Sequence, residues 1–119
     1  MTPFLLVAAG GAVGSVLRFG ATLLAIRHLG FGFPWGTLAV NVTGSLAIGI
    51  VAALGVDGPW RLFLIPGLLG GFTTFSAFSL EAALLWQRGW WLAALYVAAS
   101  LGGGFAGFAV GQWLASREA

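Results

Sequence analysis

The stretch "GLLGGFTTFSAF" (Gly67–Phe78) interrupts one of the most apolar parts of the chain. Gly70 and Gly71 each lower helix stability by roughly 1 kcal/mol relative to alanine, and the hydroxyls that follow them compete for backbone hydrogen bonds. The stretch predicts a local unwinding near the bilayer midplane, which would free carbonyl oxygens for a cation such as Na⁺. The alternative is a tight glycine contact in which the hydroxyls bond within their own helix.

The composition around this stretch places the chain in a membrane. Of 119 residues, 60% are hydrophobic and only 7% are charged, too few to cover the surface of a small soluble domain. The net charge is +2, and the five basic residues are scattered arginines, so we expect no nucleic-acid partner. The absence of cysteine excludes disulfides and thiolate metal sites.

Four apolar segments, each long enough to cross a bilayer, are expected at about 3–26, 35–54, 61–86 and 90–114. Together they predict an all-α integral membrane protein with a single transmembrane domain, 1–119. The tryptophans near the segment ends form an interfacial belt: Trp35, Trp60, Trp86, Trp90, Trp91 and Trp113. The N-terminus has no positive region before its apolar run, which indicates a retained first helix and not a cleaved signal peptide.

The arginines give almost no orientation bias. With four spans, Arg61 and Arg117 lie on one side of the membrane, and Arg27 and Arg88 lie with His28 on the other. Two arginines against two leave the positive-inside rule little to act on. The pattern predicts insertion in both orientations and an antiparallel dimer, unless one misplaced boundary conceals a weak bias.

Several side chains at membrane depth are candidates for function. Phe75 and Phe78 share one helix face, where they either pack or turn their electropositive ring edges toward an anion. Glu81 must lie near an interface, be paired, or be protonated. Arg18 costs roughly 3 kcal/mol at a helix centre, so it is expected to face a water-filled vestibule or to reach the membrane surface.

Two polar stripes run along otherwise apolar segments. Thr37, Asn41 and Ser45 recur at every fourth residue of the second segment, and Tyr96 and Ser100 lie on one face of the fourth, followed by glycines. Helix packing explains both stripes; a permeation track of neutral donors for a small anion explains them as well. No cluster of metal ligands, nucleophile–base pair or phosphate loop is present, so we do not expect an enzyme.

Three stretches resemble the signature sequences of one family. "GGAVGSVLRF" (10–19), "WGTLAVNVTGSLAIG" (35–49) and "GLLGGFTTFSAFSLE" (67–81) are similar to motifs of the CrcB/Fluc fluoride channels, in the same order and over the whole chain. The resemblance implies a dual-topology antiparallel homodimer in a prokaryotic cell (inner) membrane. It also implies that fluoride passes down its gradient through two pores, which lowers cytoplasmic fluoride.

The same resemblance assigns roles by motif position. It implies a structural Na⁺ at the dimer centre, held by the backbone carbonyls of Gly70 and Thr73, and it places Arg18 in a vestibule. The residues that it implies for the fluoride pore are Asn41, Phe75, Phe78, Thr37, Ser76, Tyr96 and Ser100. It leaves the role of Glu81 open. Gly104 departs from the family pattern, in which a hydroxyl follows Ser100 by about one turn, so the contribution of the fourth segment is in doubt.

Two other functions compete with the channel. A small multidrug transporter also has four spans, but it requires an acidic residue in the first span, where this chain has Arg18 and no carboxylate. A membrane assembly subunit without a transport role would tolerate the replacement of Asn41, Phe75 or Phe78.

Overall fold

The structure, a computed structural model, describes residues 1–118, and this part of the chain is helical without a β-strand. Four stretches are long and apolar enough to cross a membrane, which confirms the predicted all-α membrane fold. Three of them are continuous helices: α1 (Thr2–Leu29), α2 (Trp35–Leu54) and α6 (Trp90–Glu118). The remaining stretch, Gly58–Arg88, is called the third span below.

The third span consists of several short elements. Helix α3 (Gly58–Leu62) continues into a π-helical segment (Phe63–Leu69) and α4 (Gly70–Phe72), and α5 (Ser76–Arg88) follows after a break. Pro66 lies inside the π-helical segment. Because proline has no backbone N–H and its ring crowds the preceding turn, the wider π-helical winding accommodates it without ending the span. The π-helical segment was not predicted from the sequence.

The N-terminal half of the third span packs against α1 at backbone distance. Gly10 and Gly14 are the buried residues of α1. A Cβ on Gly14 would overlap the Leu68 carbonyl oxygen, and one on Gly71 would lie 2.6 Å from the Gly11 carbonyl oxygen. Glycine is required at these positions because the two backbones approach so closely.

Helices α2 and α6 form the most extensive packing in the molecule. They run parallel, since each begins on the side of the membrane where the preceding span ends. A Cβ on Gly49 of α2 would overlap the Phe108 carbonyl oxygen, and one on Gly111 of α6 would overlap that of Leu46. This close pairing places the two polar stripes next to each other.

Most of the large apolar side chains point outward. Phe4 is 77% exposed and Phe105 is 74% exposed, whereas the buried cluster is small and is formed by Leu85, Ala93 and Tyr96. An exposed apolar surface of this extent suits a chain whose surroundings are lipid. The molecule is 45 Å long, comparable with a bilayer including its headgroups.

Candidate functional site

The helix of the third span is interrupted at its midpoint. Thr73 has an extended backbone (φ −84°, ψ 158°), and helix α5 starts again at Ser76. The interruption confirms the predicted broken helix, but Gly70 and Gly71 are not unwound, because both still belong to α4. The break therefore begins at Thr73, two residues after Gly71, and Gly71 serves instead in the close packing against α1.

The side-chain amide of Asn41 on α2 binds the backbone at the break through both its nitrogen and its oxygen. Its Nδ2 donates to the carbonyl oxygen of Thr74 at 2.9 Å, and its Oδ1 accepts from the Thr74 backbone N–H at 2.8 Å. In a continuous helix that N–H would bond to the carbonyl of Gly70. The side chain of Asn41 thus replaces the missing backbone partners, and one N–H of its amide is left over for another acceptor.

The new helix is capped locally. The Thr74 hydroxyl accepts from the Ala77 backbone N–H at 3.2 Å, as a cap residue does three positions ahead of its partner. It also lies 3.4 Å from the hydroxyl of Ser76. Thr74 was not predicted as a site residue, although a threonine at the start of an apolar run is a known sign of a helix N-terminus.

The two charged side chains at membrane depth have separate partners. Arg18 donates from Nε to the carbonyl oxygen of Gly71 at 3.1 Å, which satisfies one of the acceptors at the C-terminal end of α4. Glu81 accepts from the Tyr96 hydroxyl at 3.2 Å. A cation at a helix C-terminus is favourable, so Arg18 contributes to the break in addition to any role in a vestibule.

An aromatic row follows the break. The rings of Phe75 and Phe78 are 5.8 Å apart, and that of Phe78 is 5.1 Å from the ring of Tyr96. Phe33 meets Tyr96 edge-on at 5.4 Å. Tyr96 is fully buried, whereas Phe75 is 77% exposed within the single chain.

A cavity of about 400 Å³ lies beside the break, and every side chain that lines it is uncharged. It brings together six of the predicted site residues: Asn41, Phe75, Phe78, Ser100, Gly70 and Thr73. It also contains Ser45, which belongs to the predicted stripe of α2, and Thr74. Residues that carry an amide, hydroxyls and aromatic rings thus line one space beside the break.

The other predicted site residues lie outside this cavity. Thr37 is buried and lines a second cavity of about 360 Å³ together with Glu81. Tyr96 lines neither cavity, but its ring contacts Phe78, which lines the main cavity, and Phe33, which lines the second. Arg18 approaches the break from α1 and does not line the main cavity.

The chain is similar in sequence to known proteins over nearly its whole length, including all the residues of this site. Residues 5–112 match the family model described as CrcB-like protein, Camphor Resistance (CrcB). The chain is 51% identical to the fluoride-specific ion channel FluC of Hyphomonas neptunium over 98% of both chains, and 54% identical to that of Chelativorans sp. over 97% of both. It is 50% identical to that of Allorhizobium ampelinum, over 96% of this chain and 99% of the relative. The similarity thus extends through all four spans.

Proposed function

The chain belongs to the CrcB-like family, and from this membership we propose that it is a fluoride-specific ion channel of the cell membrane. The observation that carries the proposal is the identity of about half of all residues with relatives named as such channels, over nearly the full length of both chains. The proposed role is passive export of fluoride, which is transport and not an enzymatic reaction.

The chemistry of the main cavity supports an anion as the permeating ion. Fluoride is small and strongly hydrated, so a narrow path must replace its water with other donors. Asn41 offers its remaining N–H, and Ser100 offers a buried hydroxyl without a partner among the described residues. Phe78 contributes a ring edge, which carries partial positive charge. Neutral donors hold an anion less tightly than arginine would, which permits it to leave again.

We also propose that the channel is an antiparallel homodimer. Phe75 is a large ring at the midpoint of the third span, yet the single chain leaves it 77% exposed. A second copy across this surface would cover Phe75 and place it against an ion path. The balanced arginines on the two membrane sides support insertion in both orientations. Labelling of a tagged terminus from each side of the membrane tests this, since a single labelled orientation would exclude the antiparallel arrangement.

The break is suited to a structural Na⁺ through the carbonyls of Gly70 and Thr73. The helical donor for Gly70 is the Thr74 N–H, which is bound to Asn41, and the helical donor for Thr73 is the Ala77 N–H, which is bound to the Thr74 hydroxyl. Both residues line the main cavity. Hard carbonyl oxygens of this kind suit Na⁺, which would supply fixed positive charge near the anion path. Replacing Na⁺ by a large organic cation is expected to lower both fluoride flux and thermal stability.

Ion efflux from proteoliposomes tests the function. Vesicles loaded with fluoride should lose it rapidly when the protein is present, and vesicles loaded with chloride should not. Efflux that depends on an imposed proton gradient would favour the transporter alternative, and the absence of any efflux would favour an assembly subunit.

Substitutions of Phe75 and Phe78 can be measured in the same efflux assay. Replacing Phe75 or Phe78 by isoleucine keeps an apolar side chain but removes the ring edge, so fluoride flux should fall while the protein still elutes like the wild type. Phe4, which is 77% exposed on α1 and lines none of the cavities described, is the control. Unchanged flux in both pore variants would remove the rings from the mechanism.

A further inference from the structure

Hydroxyl groups in the spans mostly bond to their own helix. Thr22, Thr43 and Ser79 each donate to the carbonyl four residues earlier, at 2.9, 2.7 and 3.0 Å. The hydroxyl of Ser100 does not: its Oγ is buried and has no hydrogen-bond partner among the described residues. Buried polar atoms without a partner are rare in native structures, so this hydroxyl is available to bind a ligand.

A second hydroxyl reaches the same region from the neighbouring helix. Ser45 of α2 points toward α6, where its Oγ is 3.6 Å from the position that a Cβ on Gly104 would occupy. Apart from the adjacent residues and the nearby backbone of α6 itself, that hydroxyl oxygen is the one heavy atom of the described residues within 4 Å of this position. Gly104 follows Ser100 by about one turn, so the space beside α6 at this level is bordered by a hydroxyl of α2.

The three residues also lie where two cavities meet. Ser45, Ser100 and Gly104 line the main cavity of about 400 Å³ and, in addition, a neighbouring cavity of about 500 Å³ that extends along α6 past Phe105 and Phe108. An ion that moves from the region of Asn41 into the neighbouring cavity must therefore pass Ser45, Ser100 and Gly104.

We propose that the hydroxyls of Ser45 and Ser100 form an anion-binding position between the two cavities, next to Gly104. The proposal rests on the proposed channel function and specifies its path. Two hydroxyls on adjacent helices converge on one space, and each can donate to an anion. Hydrogen bonds to a charged acceptor are stronger than neutral ones, most of all where the local dielectric is low.

Removal of the Ser45 hydroxyl is the first test. Ser45→Ala should lower fluoride efflux from proteoliposomes by about tenfold, the scale of one lost hydrogen bond to an ion. Thr43→Ala is the matched control because it deletes a hydroxyl on the same helix that is exposed and bonded to Ala39. Efflux from the control should stay within twofold of the wild type, and both variants should elute like the wild type.

Moving the hydroxyl from α2 to α6 is the second test. Ser45→Ala combined with Gly104→Ser should recover most of the flux, because a side chain at 104 enters the same space without a clash. Ser45→Ala combined with Gly102→Ser is the control, since Gly102 has nothing within 4 Å and its added hydroxyl would face away from the cavity. That pair should remain as slow as Ser45→Ala alone.

The outcomes separate this proposal from the channel function. Wild-type vesicles that retain fluoride would overturn both. Rapid wild-type efflux with Ser45→Ala within twofold of it would overturn the binding position alone and leave the channel standing. The position is also overturned if Gly104→Ser fails to recover flux, or if Gly102→Ser recovers it equally well, since either result would trace the loss to packing or to bound water and not to a donor at this place.

Discussion

The two halves of the third span are held in opposite ways. The half before the break, α3 to α4, lies against α1 through glycines that bring backbone against backbone, as at Gly14 and Gly71. The half after it, α5, lies against α6 through large side chains, with Phe78 and Leu85 packed around the buried Tyr96. One apolar segment of the sequence thus belongs to two different packing environments.

The break is what permits this division. Each half ends in unsatisfied backbone groups, and a polar side chain from another helix satisfies some of them on either side. Arg18 of α1 donates to Gly71 at the end of the first half, and Asn41 of α2 binds both backbone groups of Thr74 at the start of the second. The two halves therefore share no continuous helix, and each can be weakened separately.

The backbone contact of the first half should give the largest effect. Gly14→Val places side-chain atoms where the Leu68 carbonyl lies, so the helices must separate, at a cost of about 4 kcal/mol in the free energy of unfolding. We expect little folded protein to be recovered in detergent. Gly20→Val on the same helix is the control, because Gly20 has nothing within 4 Å and should yield folded protein. Equal recovery of both variants would contradict the close contact.

Asn41 is expected to come second. Asn41→Ala leaves the N–H and the carbonyl of Thr74 without partners in an apolar setting, which costs about 3 kcal/mol. Thermal unfolding in detergent should show the loss, and fluoride efflux should fall with it. Asn41→Asp keeps the acceptor for the Thr74 N–H but removes the donor for its carbonyl, so its stability should lie between those of the wild type and Asn41→Ala. An Asn41→Ala variant as stable as the wild type would show that the break does not depend on the two hydrogen bonds between Asn41 and Thr74.

The sequence was sufficient to predict four spans and an interrupted third helix. Apolar runs and the cluster of glycines and hydroxyls are local properties, and local patterns decide whether a segment can be a continuous membrane helix. The interruption lies inside the predicted stretch, at its hydroxyl residues and not at its glycines. A glycine can mark either a weak helix or a close helix contact, and only the neighbouring backbone, here Gly11 beside Gly71, distinguishes the two.

The hydrogen-bond partners of the polar side chains could not be predicted from the sequence. Asn41 and Thr74 are separated by 33 positions, and Arg18 and Gly71 by 53. Each donor has many acceptors at a comparable membrane depth, and the choice depends on how the helices rotate about their axes. Ser45 shows the same limit. It was placed in a polar stripe, but its position beside Gly104 follows from the parallel packing of α2 and α6.

Arg18 tests the end of the first half. Arg18→Gln removes the charged donor to the Gly71 carbonyl, and we expect a loss of about 2 kcal/mol in the free energy of unfolding. Arg18→Lys keeps the charge but not the planar Nε donor, so it should restore only part of the loss. Thermal unfolding of the three proteins at equal salt gives the comparison. If Lys and Gln behave alike, the geometry of the donor matters and the charge does not.

Tyr96 tests the second half and should give the smallest effect. Tyr96→Phe keeps the ring that packs against Phe78 and Phe33, so the aromatic cluster around α5 stays filled. It removes only the hydroxyl that donates to Glu81 at 3.2 Å, a loss of about 1 kcal/mol. Tyr96→Ala would remove the packing as well and should be far more damaging, as expected for a fully buried ring. Equal losses from Phe and Ala would mean that the hydroxyl, and not the ring, holds α5 in place, and the contrast between a backbone-packed first half and a side-chain-packed second half would fail.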